Sequence, residues 1–457
     1  MDISLFILFI FLLQLVCFFV GKSSSKGVKT QDEYFLAGKG IRFFPLMMTF
    51  LATQVGGGLI LGAAEEAYQF GWAVLLYPLG ATLGLILLGI GVGRKLAEFQ
   101  VSTVAQIFET VYRSKVLKKV ASILSIVSLF MIFVAQIIAS KKFMVSLGVE
   151  NEILFFLFWG IVILYTAMGG LKAVVSTDVV QAAFFMFAFF VCAFYVIFSG
   201  NEALGAIGNS LASFGSIQDK FCGWLFMPLL FMVIEQDMGQ RCFAADSPKI
   251  VSKATLWAAF CTFIVSVIPV FLGIVAKNSG ITLQEGSSVL MSVVQQFTTP
   301  AISALVGCAI FAAIISTADS LLNAIGSNLS QDFNFSFLKK DTIYASQLLT
   351  VVIAVIGMYV SFSFNNVVDL LILSYELSVS CLFVPIFLAL FKKQGNTISA
   401  TLAIAFGLIG FVGFRIVTPA IPKEVLTVLF SLFGYIIGEF TVKSVTPKYV
   451  EETVYDK

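Results

Sequence analysis

The sequence predicts an all-α integral membrane protein of about thirteen transmembrane helices, and three observations carry that prediction. Of its 457 residues, 59% are hydrophobic and only 12% are charged, against roughly 45–50% and about 25% in a soluble domain. The apolar residues fall in runs close to the roughly 20 residues that a helix needs to cross about 30 Å of hydrocarbon. Those runs lack the period-two alternation of outer-membrane barrel strands. A water-soluble enzyme of this length would not have the polar surface to cover itself. A net charge of +2 with no basic stripe excludes a nucleic-acid binder.

The expected spans lie near 2–21, 43–65, 71–93, 116–140, 153–171, 177–199, 222–240, 254–276, 299–330, 343–363, 367–391, 397–414 and 425–442. The first follows Met1-Asp2 directly, without the basic segment or small-residue cleavage pattern of a signal peptide, so it reads as an anchored helix. The span at 299–330 is too long for one crossing and is expected to project into the cytoplasm. Between the fifth and sixth spans, Ser176 or Thr177 is placed to cap the sixth helix, with Asp178 in its first turn, an arrangement that needs no function. Loops are short, so residues 1–457 read as a single transmembrane domain whose function sits inside the bundle.

Placing the N-terminus outside leaves only Lys141, Lys142, Lys220, Lys277, Arg415 and Lys423 of the 28 basic residues on the outer side. The C-terminus is then cytoplasmic, including the tail 443–457. Minimal loops suggest a bacterial plasma membrane. So does the placement of the two Asn-x-Ser triplets, at Asn328 and Asn334, on the inner side. Seven cysteines show neither paired nor metal-binding spacing, and there is no histidine, which removes imidazole relays, Ser-His catalysis and histidine metal sites. No cofactor and no obligatory protein partner are expected.

Inside the bundle the informative residues are the polar and helix-breaking ones, because a charge there costs about 2.5–3.5 kcal/mol. Gly56-Gly57-Gly58 interrupts the second span. It reads either as close helix packing or as an unwound segment whose carbonyls bind a cation. Ala313, Ser316, Thr317 and Ser320 follow i, i+3, i+4, i+7 spacing and share one helix face, with Asp319 on its flank. Hydroxyls and carbonyls suit a hard cation, although a lone membrane hydroxyl often only bonds back along its own helix. Glu235-Gln236-Asp237-Met238-Gly239-Gln240-Arg241 marks either a broken seventh helix or a helix end, with Arg241 placed to neutralise a carboxylate. Asp369 and Glu439 are expected at the interface, and Glu376, beside Tyr375, at a cavity.

Interruptions at matching places five helices apart are the pattern of inverted repeats around a midplane site. Helices 2–6 (42–199) and 7–11 (222–392) are then the repeats, with 1–21 and 397–442 peripheral.

At these residues the chain resembles the sodium:solute symporter family. Tyr165-Thr166-Ala167-Met168-Gly169-Gly170-Leu171-Lys172-Ala173, continuing through Thr177-Asp178-Val179-Val180-Gln181, is similar to the family signature. Ala312 to Ser320 is similar to its sodium-site helix. The resemblance implies a leucine-transporter-type fold and sodium-driven uptake by alternating access. It implies a sodium site from carbonyls of Ala52, Val55 and Ala313 and hydroxyls of Ser316 and Thr317. A second sodium or proton site is implied at Asp178, Asp319 and Ser320, where Asp319 replaces a hydroxyl. Thr53 to Gly58, Ala63-Ala64-Glu65-Glu66 and Ala318-Asp319-Ser320 most resemble the high-affinity choline transporter branch, but two tryptophans of that branch's aromatic cage align with Gln54 and Glu235. Gln54, Gly56, Glu235 and Tyr375 are therefore expected to hold a small polar organic solute bearing an amine rather than choline. A proton-coupled transporter or exchanger of the same fold is the first alternative. A membrane sensor or enzyme is the second, against which stand the missing output domain and the missing nucleophile–base pair.

Overall fold

The computed structural model describes residues 2–25, 30–148, 152–199, 217–281, 283, 286–333, 342–392, 394–417 and 421–445. Lys26, Lys29, Lys339, Lys340, Lys393, Lys448 and Lys457, the side chains of Tyr165, Ala167 and Met168, Asn334, and most of the 443–457 tail lie outside those residues.

Nineteen α-helical segments follow one another among the described residues. They are α1 (Ile3–Ser24), α2 (Gln31–Leu36), α3 (Phe43–Gln54), α4 (Ala63–Phe70), α5 (Leu76–Leu87), α6 (Gly93–Glu98), α7 (Gln106–Tyr112), α8 (Lys115–Ser146), α9 (Glu152–Phe198) and α10 (Gln218–Phe231). After these come α11 (Gln236–Ala244), α12 (Pro248–Asn278), α13 (Val289–Phe297), α14 (Pro300–Asp332), α15 (Thr342–Val360), α16 (Val367–Ser378), α17 (Val384–Ala389), α18 (Thr397–Ile416) and α19 (Lys423–Val445). Apart from one isolated parallel bridge between Ile41 and Ala245, no β-structure occurs among the described residues. Ten helical segments are long and apolar enough to cross a membrane, and Phe43–Gln54 and Gln347–Ser363 are shorter apolar helices.

Local chemistry sets where these helices start. Asp2 accepts from the backbone N–H of Ser4 and Leu5 and is the cap of α1. Thr30 and Glu33 form a reciprocal capping box on α2. Thr299 caps α14 with Pro300 in its first turn, and Asn366 and Asn396 cap α16 and α18. Ile7, Phe11 and Phe19 of α1 stay exposed, an apolar face that only a lipid solvent tolerates.

Two expectations change here. Spans 153–171 and 177–199 are one helical assignment broken at Gly170, whose φ of 64° needs glycine. A Cβ there would also meet the Tyr34 carbonyl at 2.9 Å. Thr177 lies two turns inside the second part and bonds back to Ala173 and Val174, so it caps nothing, and Asp178 is not in a first turn. The last turns of α14 do not project freely. Asn328 donates to Ser125 at 2.9 Å, and Asp332 accepts from Thr103 at 2.8 Å.

Both expected interruptions exist. The second span stops at Gln54 and resumes through a π-turn at Gly58–Gly62 into α4. The seventh stops at Phe231, three residues after Pro228 removes a helix donor, and resumes at Gln236. That break falls about a turn earlier than expected. Gly239 sits inside α11, where a Cβ would come 2.4 Å from Val104 Cγ2, so it serves packing. Ile41 donates to Ala244 and accepts from Asp246, tying the start of α3 to the end of α11. At the far ends of the same broken helices, Glu65 pairs with Lys142 at 2.6 Å and Glu66 with Lys220 at 3.1 Å, joining α4 to α8 and α10.

Candidate functional site

The middle of α14 is buried against the broken end of α3. Ser316 Oγ approaches the carbonyl oxygens of Ala52 at 3.1 Å and Ala313 at 3.0 Å. Thr317 Oγ1 approaches those of Ala52 at 3.3 Å and Thr53 at 3.1 Å. Two hydroxyls supply two hydrogens to these four oxygen–oxygen approaches, so at least two of them lack a proton. Five electron-rich atoms therefore crowd one buried point, which is the donor set that a hard monovalent cation satisfies. Ala52, Ala313, Ser316 and Thr317 converge as the sequence predicted, and the Thr53 carbonyl joins them. Val55 lies just beyond α3, its N–H donating to Leu51 and its backbone turned to φ −87°, ψ 74°.

The unwound stretch is held open by a residue the sequence analysis passed over. Gln136 of α8 accepts the Gly57 N–H on Oε1 at 2.7 Å, satisfying a backbone donor that the break frees. A lone amide in an otherwise apolar span was the available signal. The glycines are required by contact. A Cβ on Gly56 would lie 2.5 Å from Thr317 Oγ1, on Gly57 2.5 Å from Ala139 Cβ, and on Gly58 2.2 Å from Leu371 Cδ1.

A cavity opens between the two breaks. Thr53, Gln54, Gly56, Glu235, Asp237 and Tyr375 are among its lining residues, so all four expected solute contacts border it. Gln54 Nε2 donates to Glu235 Oε2 at 3.4 Å. Tyr375 packs on Phe231 with ring centroids 4.6 Å apart. Glu376 turns away from the cavity, to Arg415 and, at 3.7 Å, Lys423. Asp369 and Glu439 pair with Lys220 and Lys392.

The other predicted cluster separates. Asp178 Oδ2 accepts from Thr49 at 2.5 Å and from Arg241 Nη2 at 3.4 Å, and Arg241 Nη2 donates to Ser320 at 2.6 Å. The guanidinium is completed by Thr49 Oγ1 on Nε and the Asp237 carbonyl on Nη1, both at 2.9 Å. Arg241 and Asp178 are fully buried. Asp319 instead meets Thr166 of α9. Arg241 thus stands between Asp178 and Ser320, the place expected for a second cation, and its direct ion pair is with Asp178, while its charge also acts on Glu235 and Asp237 of its own segment.

The model of the sodium:solute symporter family matches residues 34–407. The chain belongs to that family. As a member it is a transporter and not an enzyme. High-affinity choline transporter 1 of Drosophila melanogaster is 23% identical over 418 residues, which span 86% of this chain and 67% of that one. The sodium/proline symporter of Escherichia coli is 24% identical over 460 residues, covering 91% and 90% of the two chains. Among solved structures, a Na+-coupled sialic acid symporter in a substrate-bound outward-open state superposes with a TM-score of 0.78 at 17% identity, over 97% of this chain and 98% of that one. A nucleobase-cation-symport-1 family transporter, Mhp1, in a closed conformation gives 0.61 at 14% identity, over 91% and 96%. These likenesses fix the fold as the leucine-transporter type.

Proposed function

We propose that this chain takes up a small polar, amine-bearing organic solute by sodium-coupled symport across a plasma membrane, its N-terminus outside and its C-terminus cytoplasmic. The observation that carries the reading is shared residues. Thr53 and Thr317 belong to the oxygen cluster between α3 and α14 and also line the cavity between the breaks. A sodium ion among Ala52, Thr53, Ala313, Ser316 and Thr317 braces the broken α3 and so completes one wall of the solute cavity. The solute in turn holds that wall against the ion. Mutual bracing is a coupling free energy between the two sites. The membrane potential adds about 2.3 kcal/mol per charge per 100 mV to inward movement. Gln54 and Glu235 face the solute amine.

The test is a thermal-shift screen of the purified protein against a library of small polar solutes, in sodium and in potassium buffer. A solute at 100 times its Kd stabilises by about 2.7 kcal/mol, a rise of several degrees. Stabilisation by the best solute that weakens at least about tenfold in potassium is the expected result. Equal stabilisation in both buffers contradicts sodium coupling and favours the proton-coupled alternative.

A further inference from the structure

The cavity between the breaks has an acidic lining. Glu235 and Asp237 both line it, 5% and 0% exposed, and Asp237 Oδ2 has no hydrogen-bond donor. Among the described residues, no lysine or arginine lies within ion-pair distance of either carboxylate. Arg241 donates its hydrogen bonds to Asp178, Ser320, Thr49 and the Asp237 backbone carbonyl, so it reaches the two cavity carboxyl groups through space and not by a direct ion pair. A buried carboxylate without a countercharge is costly, so the pair calls for a cation to occupy the cavity.

Several of the places where a solute carboxylate would dock are already filled by acceptors of the chain itself. In a broken-helix transporter these are the free N–H groups at the start of each resumed half-helix. Here Gly56 N donates to Gln54 O and Gly57 N to Gln136 Oε1. At the start of α11, Met238 N donates to Asp237 Oδ1 and Gly239 N to Glu235 O. A carboxylate on the solute would be brought against these two buried acidic side chains, whereas a protonated amine would find acceptors there.

Building on the sodium-symport reading above, we infer that the solute is an organic cation with N–H donors and no carboxylate. This means a protonated primary or secondary amine, not an amino acid and not a quaternary ammonium. The lining offers acceptors for N–H groups in Glu235, Asp237 and Gln136. Its only aromatic rings are Tyr77 and Tyr375, too few for the cage that a quaternary ammonium needs.

The test uses matched pairs on the purified full chain in sodium buffer: pyrrolidine against proline, agmatine against arginine and phenethylamine against phenylalanine, with choline as the quaternary probe. The best amine is expected to protect against thermal unfolding at a concentration at least about tenfold below that of its parent amino acid and of choline. Asp237→Asn should shrink that preference toward parity. Amino acids equal to or better than their amines, choline better than all three amines, or no protection by any amine up to about 100 mM would each overturn the inference. The sodium-symport reading is judged separately, from the shift that sodium alone gives over potassium before any solute is added.

Discussion

Arg241→Gln is expected to destabilise the folded protein by about 3–5 kcal/mol, and Asp178→Asn in the same chain is expected to recover most of that loss. The single change leaves the Asp178 carboxylate fully buried with only Thr49 to support it, and an uncompensated buried charge carries a penalty of that size. Removing both charges together removes the penalty, so the two substitutions are strongly non-additive. Denaturation of the detergent-purified single and double variants measures the effect. A double variant as unstable as Arg241→Gln would show that the guanidinium acts through Thr49, Ser320 and the Asp237 carbonyl rather than by neutralising Asp178.

Gly56→Ala is expected to weaken sodium binding roughly 10- to 100-fold while leaving the helical fold intact. The added methyl carbon would lie 2.5 Å from Thr317 Oγ1 and 2.8 Å from Gln136 Oε1. It therefore pushes on a hydroxyl of the proposed sodium site and on the amide that holds the break open. Overpacking of this kind costs typically 1–3 kcal/mol, roughly 5- to 150-fold in affinity, which brackets the stated range. Gly160→Ala, where an added Cβ meets open space, is the matched control and should be silent. Sodium titration of solute binding, by thermal shift, reads both. Unchanged sodium affinity in Gly56→Ala would mean that the three glycines serve helix packing alone.

Both substitutions show where reading the sequence succeeds and where it stops. The oxygen cluster was legible because helical periodicity puts Ala313, Ser316 and Thr317 on one face, and three successive glycines cost too much in a membrane helix to be accidental. Asp178 was legible as an oddity but not in its role. Its partner lies 63 residues away on α11, and no local pattern reports which faces of α9 and α11 meet. Its apparent cap position failed because one glycine with positive φ, Gly170, breaks the helix two turns earlier than the charged residues suggest. Glu376 shows the same limit. Its position beside Tyr375 gives the neighbour a cavity wall, but successive helical residues point about 100° apart, and its own direction is toward α18 and the start of α19.

The central claim is that sodium binds where the hydroxyls of α14 meet the broken end of α3. Equilibrium binding of 22Na+ to the purified protein tests it without knowledge of the solute. Wild-type protein should bind 22Na+ saturably, with displacement by unlabelled sodium and not by potassium, and the Ser316→Ala, Thr317→Ala double variant, folded by its circular dichroism, should bind none above background. Saturable binding that survives in the double variant would place the coupling ion elsewhere in the bundle and contradict the account.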